Sequence, residues 1–181
     1  MQEYDKRTLT ANRLRMERIS PADHLFIFEL VNTPDWIRFI GDKKIKSPED
    51  AKTFIEKITG SENTTYWVVK LKDGGDPIGV ITFIKRDYLP HHDIGFAFLP
   101  AFVGKGYAFE ATHAILRYLA SHKLFTTILA FTLPHNAQSI RLLQKLGLQY
   151  EMEIEKDGSA LHIYKATADN LSDTATKQKD L

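Results

Sequence analysis

The chain has 181 residues, 43% of them hydrophobic and 11% aromatic, enough for one well-buried core and short of what two would need. Its 24 basic residues against 23 acidic ones leave a formal net charge of +1, so no global field favours nucleic acid or a membrane surface as partner. Cysteine is absent, which removes disulfides, thiolate nucleophiles and cysteine-held metals together.

The start, MQEYDKRTLTANRLRMERI, is polar throughout and lacks the apolar centre of a signal peptide. No run approaches the roughly 18 apolar residues of a membrane span, and the expectation is a cytoplasmic protein. Residues 13–19 alternate Leu14 and Met16 with charged neighbours, the pattern of a half-exposed first strand. Ser20-Pro21-Ala22-Asp23 then supplies a cap, a proline at the first helical position and an acid in the first turn, opening a helix over residues 24–32. The same grammar recurs at Ser47-Pro48-Glu49-Asp50, ahead of Ala51, Phe54, Ile55 and Ile58 at helical spacing. An aromatic connector, TPDWIRFIGDKK, joins the two helices.

From Thr65 the period changes to two. Residues 66–71 and 77–85 are β-rich runs around KDGGD, whose glycines and aspartates suit a hairpin turn. A third strand over residues 93–99 follows the connector RDYLPHH, and its Gly95 and Ala97 mark either a bulge or a close approach to the backbone. Residues 107–122 form a helix with Ala111, Ala114, Ile115, Tyr118 and Leu119 available to pack, and residues 126–133 a buried-type strand stopped by Pro134. Asn136 can cap the next helix, SIRLLQKL, which ends at Gly147. A hairpin over 150–155 and 161–165, turning at KDGS, closes the fold. The fold class is therefore α/β, a mixed sheet centred on the strand before the glycine loop and the strand ending at Pro134. Residues 1–166 read as one domain, and the polar tail 167–181 as disordered.

The stretch FLPAFVGKGYAFEAT, residues 98–112, places two glycines and a lysine between a strand and a helix. Such a loop gathers free backbone N–H groups at a helix N-terminus, where the macrodipole reinforces them, and so makes an anion site from main chain. Gly104 and Gly106 permit close approach, and Lys105 adds a positive charge. A Walker A loop needs Ser or Thr where Gly106 stands, and the Rossmann pattern needs a glycine where Phe109 stands. With both nucleotide motifs gone, these residues alone leave an anion site or a tight turn without a ligand. No HxH or HExxH spacing offers a metal site.

GKGYAFEA, followed by LPHNAQSIRLLQKLGL, resembles the acetyl-CoA site of the GNAT N-acetyltransferase superfamily, most of all its RimJ/RimL-type branch. The resemblance covers residues 14–166 and includes the order of elements. It implies a GNAT-like acyl-CoA N-acyltransferase fold, a mostly antiparallel central sheet flanked by helices, in a monomer or homodimer. It also implies acetyl transfer from acetyl-CoA to a primary amine by direct attack in a ternary complex, with no metal. The acceptor implied is a protein N-terminal α-amine, as in ribosomal-protein-alanine acetyltransferases, or a small-molecule amine. The chain departs from the family in two places: Ala101 stands where Gln or Arg is usual, and the helix after Asn136 has no tyrosine. The missing tyrosine motivates the alternative of a non-catalytic acyl-CoA-binding module.

Residue by residue, the resemblance assigns the pyrophosphate to the amides of Val103, Gly104, Lys105, Gly106, Tyr107 and Ala108, and the pantetheine side to Asn136 and Ser139. The pantetheine would extend along the strand at Phe98 and Leu99 like an added half-strand, with a backbone N–H near Phe98 polarising the thioester carbonyl. Ser139 is the candidate for protonating the departing sulfur; otherwise it satisfies a backbone group in the first helical turn. Asp93 is the candidate base, beside His91 and His92, an adjacent loop pair of a kind more often solvated than catalytic. Trp36 and Phe39, with Tyr66, match the acceptor-binding wall; without the resemblance, such aromatics read as core.

Overall fold

The computed structural model describes residues 8–173. Strand β1 (Thr8–Thr10) pairs antiparallel with β2 (Leu14–Arg18), Leu9 opposite Met16. The alternating run therefore becomes the second strand, with Leu14 and Met16 fully buried. A proline-led turn at residues 21–23 opens helix α1 (His24–Val31); the Asp23 carboxylate accepts the Ser20 N–H at 2.9 Å. The aromatic connector holds a helix of its own, α2 (Pro34–Phe39), capped where the Thr33 hydroxyl accepts the Trp36 N–H at 3.4 Å. Helix α3 (Pro48–Thr59) starts in the Ser47/Asp50 capping box that its sequence spells.

Strands β3 (Thr64–Leu71), β4 (Pro77–Lys85) and β5 (His92–Phe98) run antiparallel in sequence. Helix α4 (Tyr107–Ser121), strand β6 (Thr127–Thr132) and helix α5 (Ala137–Lys145) follow. The hairpin β7 (Gln149–Lys156) and β8 (Ser159–Thr167) closes the sheet, whose order is β1-β2-β3-β4-β5-β6-β8-β7. Every pairing is antiparallel except that of β5 with β6.

Because side chains alternate across a strand, the sheet serves two cores. Trp67, Ile81 and Ile94 face α4, joining Ile115, Leu116 and Leu119. Val68 and Val80 face the other way, into Phe26, Ile27, Leu30 and Ile55 of α1 and α3. A smaller cluster of Leu89, Leu129 and Ile163 sits under the β4–β5 loop. The chain stays ordered past residue 166: β8 reaches Thr167, and helix α6 (Ala168–Asp173) follows. Ala168 N–H donates to the Thr126 carbonyl and Leu171 is buried against the α4 core, contacts that a polar-looking sequence conceals. The rest of the expected tail, 174–181, lies outside the described residues. Among the described residues no helix is long and apolar enough to cross a membrane.

Parallel strands β5 and β6 share one register pair, Asp93 with Leu129. Past that pair they part, and the edge of β5 from Gly95 to Phe98 faces a cleft instead of a strand.

Candidate active site

The cleft edge is set by hydrogen-bond alternation. Leu99 N–H donates to the Ile78 carbonyl at 2.9 Å, so Phe98 and its partner Gly79 form a non-hydrogen-bonded pair. The N–H groups of Phe96 and Phe98 consequently point away from β4, into the cleft. Leu99, by contrast, has its N–H committed to β4 and its side chain in the α1/α3 core. The Phe98 ring lies over Gly79, where a Cβ would meet it at 2.5 Å. Gly95 answers the question of bulge or close approach: the β4–β5 register is unbroken, and the group that comes close is the Thr82 hydroxyl, 2.6 Å from where a Cβ would stand.

Past a turn at residues 100–102, the loop reaches α4 through Gly104 at φ 79° and Gly106 at φ 81°, left-handed values that disfavour side chains. Gly106 is the N-cap and offers no side-chain cap, so the first-turn amides of α4, those of Tyr107 and Ala108 included, keep their donors for a ligand. Val103 is half-buried and Lys105 exposed, with the Lys105 ammonium 5.6 Å from the Phe102 ring centre. The loop is also held from outside. Arg13 donates from Nη1 to the Lys105 carbonyl at 3.2 Å and from Nε to Glu110 Oε2 at 2.8 Å. Nothing local along the chain marks this residue, since its partners lie 92 and 97 positions away.

Helix α5 forms the opposite wall. Asn136 Oδ1 accepts the Ser139 N–H at 3.1 Å, so the cap uses the amide oxygen and leaves its NH2 to donate. Ser139 is half-buried and its backbone is satisfied by Asn136, which frees the hydroxyl from that duty. The Lys145 ammonium stands 4.6 Å from the ring centre of Phe109 in the first turn of α4, which ties the two helices together beside the cleft.

On the α1/α3 face lies a polar cluster. Asp93, 2% exposed, receives Arg86 Nε at 2.7 Å and Nη2 at 3.4 Å; the guanidinium also stacks 4.9 Å from the Phe131 ring centre. Burial pushes the Asp93 carboxyl up, and Arg86 pulls against it. Burial likewise disfavours the Arg86 charge, yet Asp93 more than compensates and the guanidinium is held above its ordinary value. Two charge-assisted hydrogen bonds keep both members ionised at neutral pH. A carboxylate with both oxygens committed to a guanidinium is a poor proton acceptor, so Asp93 anchors Arg86 before it can act as a base. Burial also raises the Tyr66 phenol, with Arg86 and Asp93 acting on it, and burial followed by Arg86 lowers Lys43.

His92 lies apart from this cluster. It points to the opposite face, stacked on Phe83 at 4.3 Å, and burial lowers its pKa, with Lys85 and His91 adding to the effect. Trp36, 4% exposed, is part of the α1/α3 core, which is its observed place in contrast to the expected acceptor wall. Phe39 is half-buried, with its ring centre 5.9 Å from that of His135 in the β6–α5 loop.

These features agree with the comparisons to known proteins. A sequence profile described as an acetyltransferase (GNAT) domain matches residues 13–149. The chain belongs to the GNAT acetyltransferase family. Within that family it is 32% identical over 143 residues to the uncharacterized N-acetyltransferase YnaD of Bacillus subtilis, covering 79% of this chain and 83% of YnaD. The crystal structure of a GNAT-family acetyltransferase from Bacillus anthracis superposes with a TM-score of 0.77 at 25% identity, covering 90% of this chain and 99% of that one. An aminoglycoside acetyltransferase in complex with coenzyme A shares the GNAT fold at a TM-score of 0.77 and 16% identity, over 90% of this chain and 99% of that one.

Proposed function

We propose that the protein transfers the acetyl group of acetyl-CoA to a single primary amine, by direct attack within a ternary complex. The observation that carries this reading is the parted β5–β6 edge, with the Phe98 N–H turned into the cleft and the glycine loop of α4 at its mouth. The pyrophosphate rests on the amides of residues 103–108 and the helix dipole. The pantetheine lies along β5 between that edge and α5, and the Asn136 NH2 is free to donate to it. The thioester carbonyl then meets the Phe98 N–H, which stabilises the oxyanion as the amine nitrogen bonds to the carbonyl carbon. The C–S bond breaks as the tetrahedral intermediate collapses, the Ser139 hydroxyl protonates the departing thiolate, and the amine's surplus proton passes through water to restore the Ser139 hydroxyl.

Charge narrows the acceptor. Asp93 is the buried carboxylate among the described residues, and Arg86 already occupies it. A polyamine or aminoglycoside needs uncommitted carboxylates to offset its several charges. The cluster on this face offers cations instead, and α2 adds exposed Ile37 and Ile40 beside Phe39. This supports a polypeptide N-terminal α-amine as acceptor, the preference of the RimJ/RimL-type branch. The test is thiol release from acetyl-CoA with a panel of peptides, polyamines and aminoglycosides. Release with peptides alone supports the reading, and release with polyamines alone overturns the acceptor class. Tight acetyl-CoA binding without amine-dependent thiol would replace the enzyme with a binding module.

A further inference from the structure

Arg13 stands just before β2, where its carbonyl accepts the Lys72 N–H at 2.9 Å; its own N–H and its side chain turn to the glycine loop and the first turn of α4. Its backbone N–H donates to Glu110 Oε1 at 2.6 Å and its Nε to Glu110 Oε2 at 2.8 Å. Its Nη1 donates to the Lys105 carbonyl at 3.2 Å, and its guanidinium carbon lies 4.4 Å from the Tyr107 ring centre. Its Nη2 is also the nearest heavy atom to a Cβ built on Gly106, at 3.4 Å. One side chain thus touches the carbonyl inside the loop, the first helical residue and the fourth.

Two physical consequences follow. In a trans peptide the carbonyl and the following N–H point in opposite directions, so holding the Lys105 carbonyl toward Arg13 turns the Gly106 N–H away from it. The plane of the Lys105–Gly106 peptide is thereby fixed before any ligand arrives. Glu110 meanwhile places a negative charge in the first turn of the helix that is to receive a pyrophosphate. Left unpaired, that charge would oppose the dipole's attraction for the anion; Arg13 cancels it.

We propose that Arg13 is a positioning residue for the coenzyme, presetting the glycine loop and neutralising Glu110 so that the α4 N-terminus accepts the pyrophosphate. The side chains are 45% and 16% exposed, and exposed pairs of this kind contribute little to stability. The effect therefore belongs to binding more than to folding. This inference rests on the acetyl-CoA reading above.

Isothermal titration of acetyl-CoA into wild type, Arg13→Ala, Arg13→Lys and the double variant Arg13→Ala/Glu110→Gln tests it, with acetyl-pantetheine, which lacks the pyrophosphate, as a second probe. Arg13→Ala should weaken acetyl-CoA about 10- to 100-fold and leave both acetyl-pantetheine and the melting temperature nearly unchanged. Arg13→Lys should lie between, since it keeps the charge without the fork, and the double variant should recover the part due to Glu110. Equal acetyl-CoA affinity in wild type and Arg13→Ala overturns the inference, as does an equal loss for both probes. If Arg13→Ala does not fold, the Arg13→Lys ratio between the two probes decides the same question. A wild type that fails to bind acetyl-CoA removes the coenzyme reading itself, a result distinguishable from either.

Discussion

The two sides of the cleft are made of different material. The coenzyme side, as proposed, is main chain: left-handed glycines, unsatisfied amides at the start of α4 and the bare edge of β5. The acceptor side, as proposed, is side chain: Tyr66 from β3, Arg86 after β4, Asp93 on β5 and Phe131 on β6. A main-chain site needs only a local run of sequence that forces the right dihedrals. A side-chain site needs the whole sheet in register, and substitutions there act first on stability and only then on chemistry.

The largest effect is expected where that difference is sharpest. Arg86→Ala leaves Asp93 buried without its counter-ion, a loss of about 3–5 kcal/mol readable as a fall in the urea midpoint. Its pH dependence has a definite sign. Burial raises the Asp93 carboxyl above its ordinary 3.8, so the folded state binds the proton more tightly than the unfolded one. The Asp93 contribution is present below the unfolded value and is lost as pH rises through the folded value. Removing Arg86 takes away the opposing pull, so the deficit of Arg86→Ala should be largest at neutral pH and shrink on acidification. A deficit independent of pH would mean that the pair does not organise the acceptor side.

Next comes the loop. Gly106→Val forces a β-branched residue into φ 81° with Arg13 Nη2 at 3.4 Å, a strain of about 1–3 kcal/mol, and acetyl-CoA binding measured by titration should disappear. Gly104→Ala carries the same positive φ but meets nothing within 4 Å, so its loss should be smaller. Equal losses at the two glycines would separate the loop's function from Arg13. Ser139→Ala is weaker again, with kcat down about tenfold or more and the acetyl-CoA dissociation constant unchanged. Wild-type turnover in that variant would remove the serine from the proton path.

How much could be read in advance follows the same division. The capping box at Ser47, the cap at Asn136 and the turn at Gly147 are local grammar, and the structure uses each of them. The elements hidden from a periodic reading are short: β1 has three residues with one apolar side chain, α2 has six, and α6 buries one leucine. None is long enough to establish a period. Trp36 shows the limit for aromatics, since only packing separates a wall of the site from the core beneath it. Arg86 and Asp93 did leave a trace, seven positions apart at the ends of a β4–β5 connector, where a hairpin must bring them together. Arg13 and Glu110 left none, because nothing along 97 positions announces their meeting.

The smallest effect separates two roles of one residue. Asn136 caps α5 with its oxygen, 3.1 Å from the Ser139 N–H, and the NH2 on the same amide is the donor proposed for the pantetheine. Asn136→Ala removes both and should cost about 1 kcal/mol of stability along with coenzyme affinity. Asn136→Ser keeps a capping oxygen and loses only the amide donor, so its melting temperature should stay near wild type while acetyl-CoA binding weakens. If Asn136→Ser binds acetyl-CoA as wild type does, the residue serves the helix alone, and the coenzyme side would then be main chain throughout.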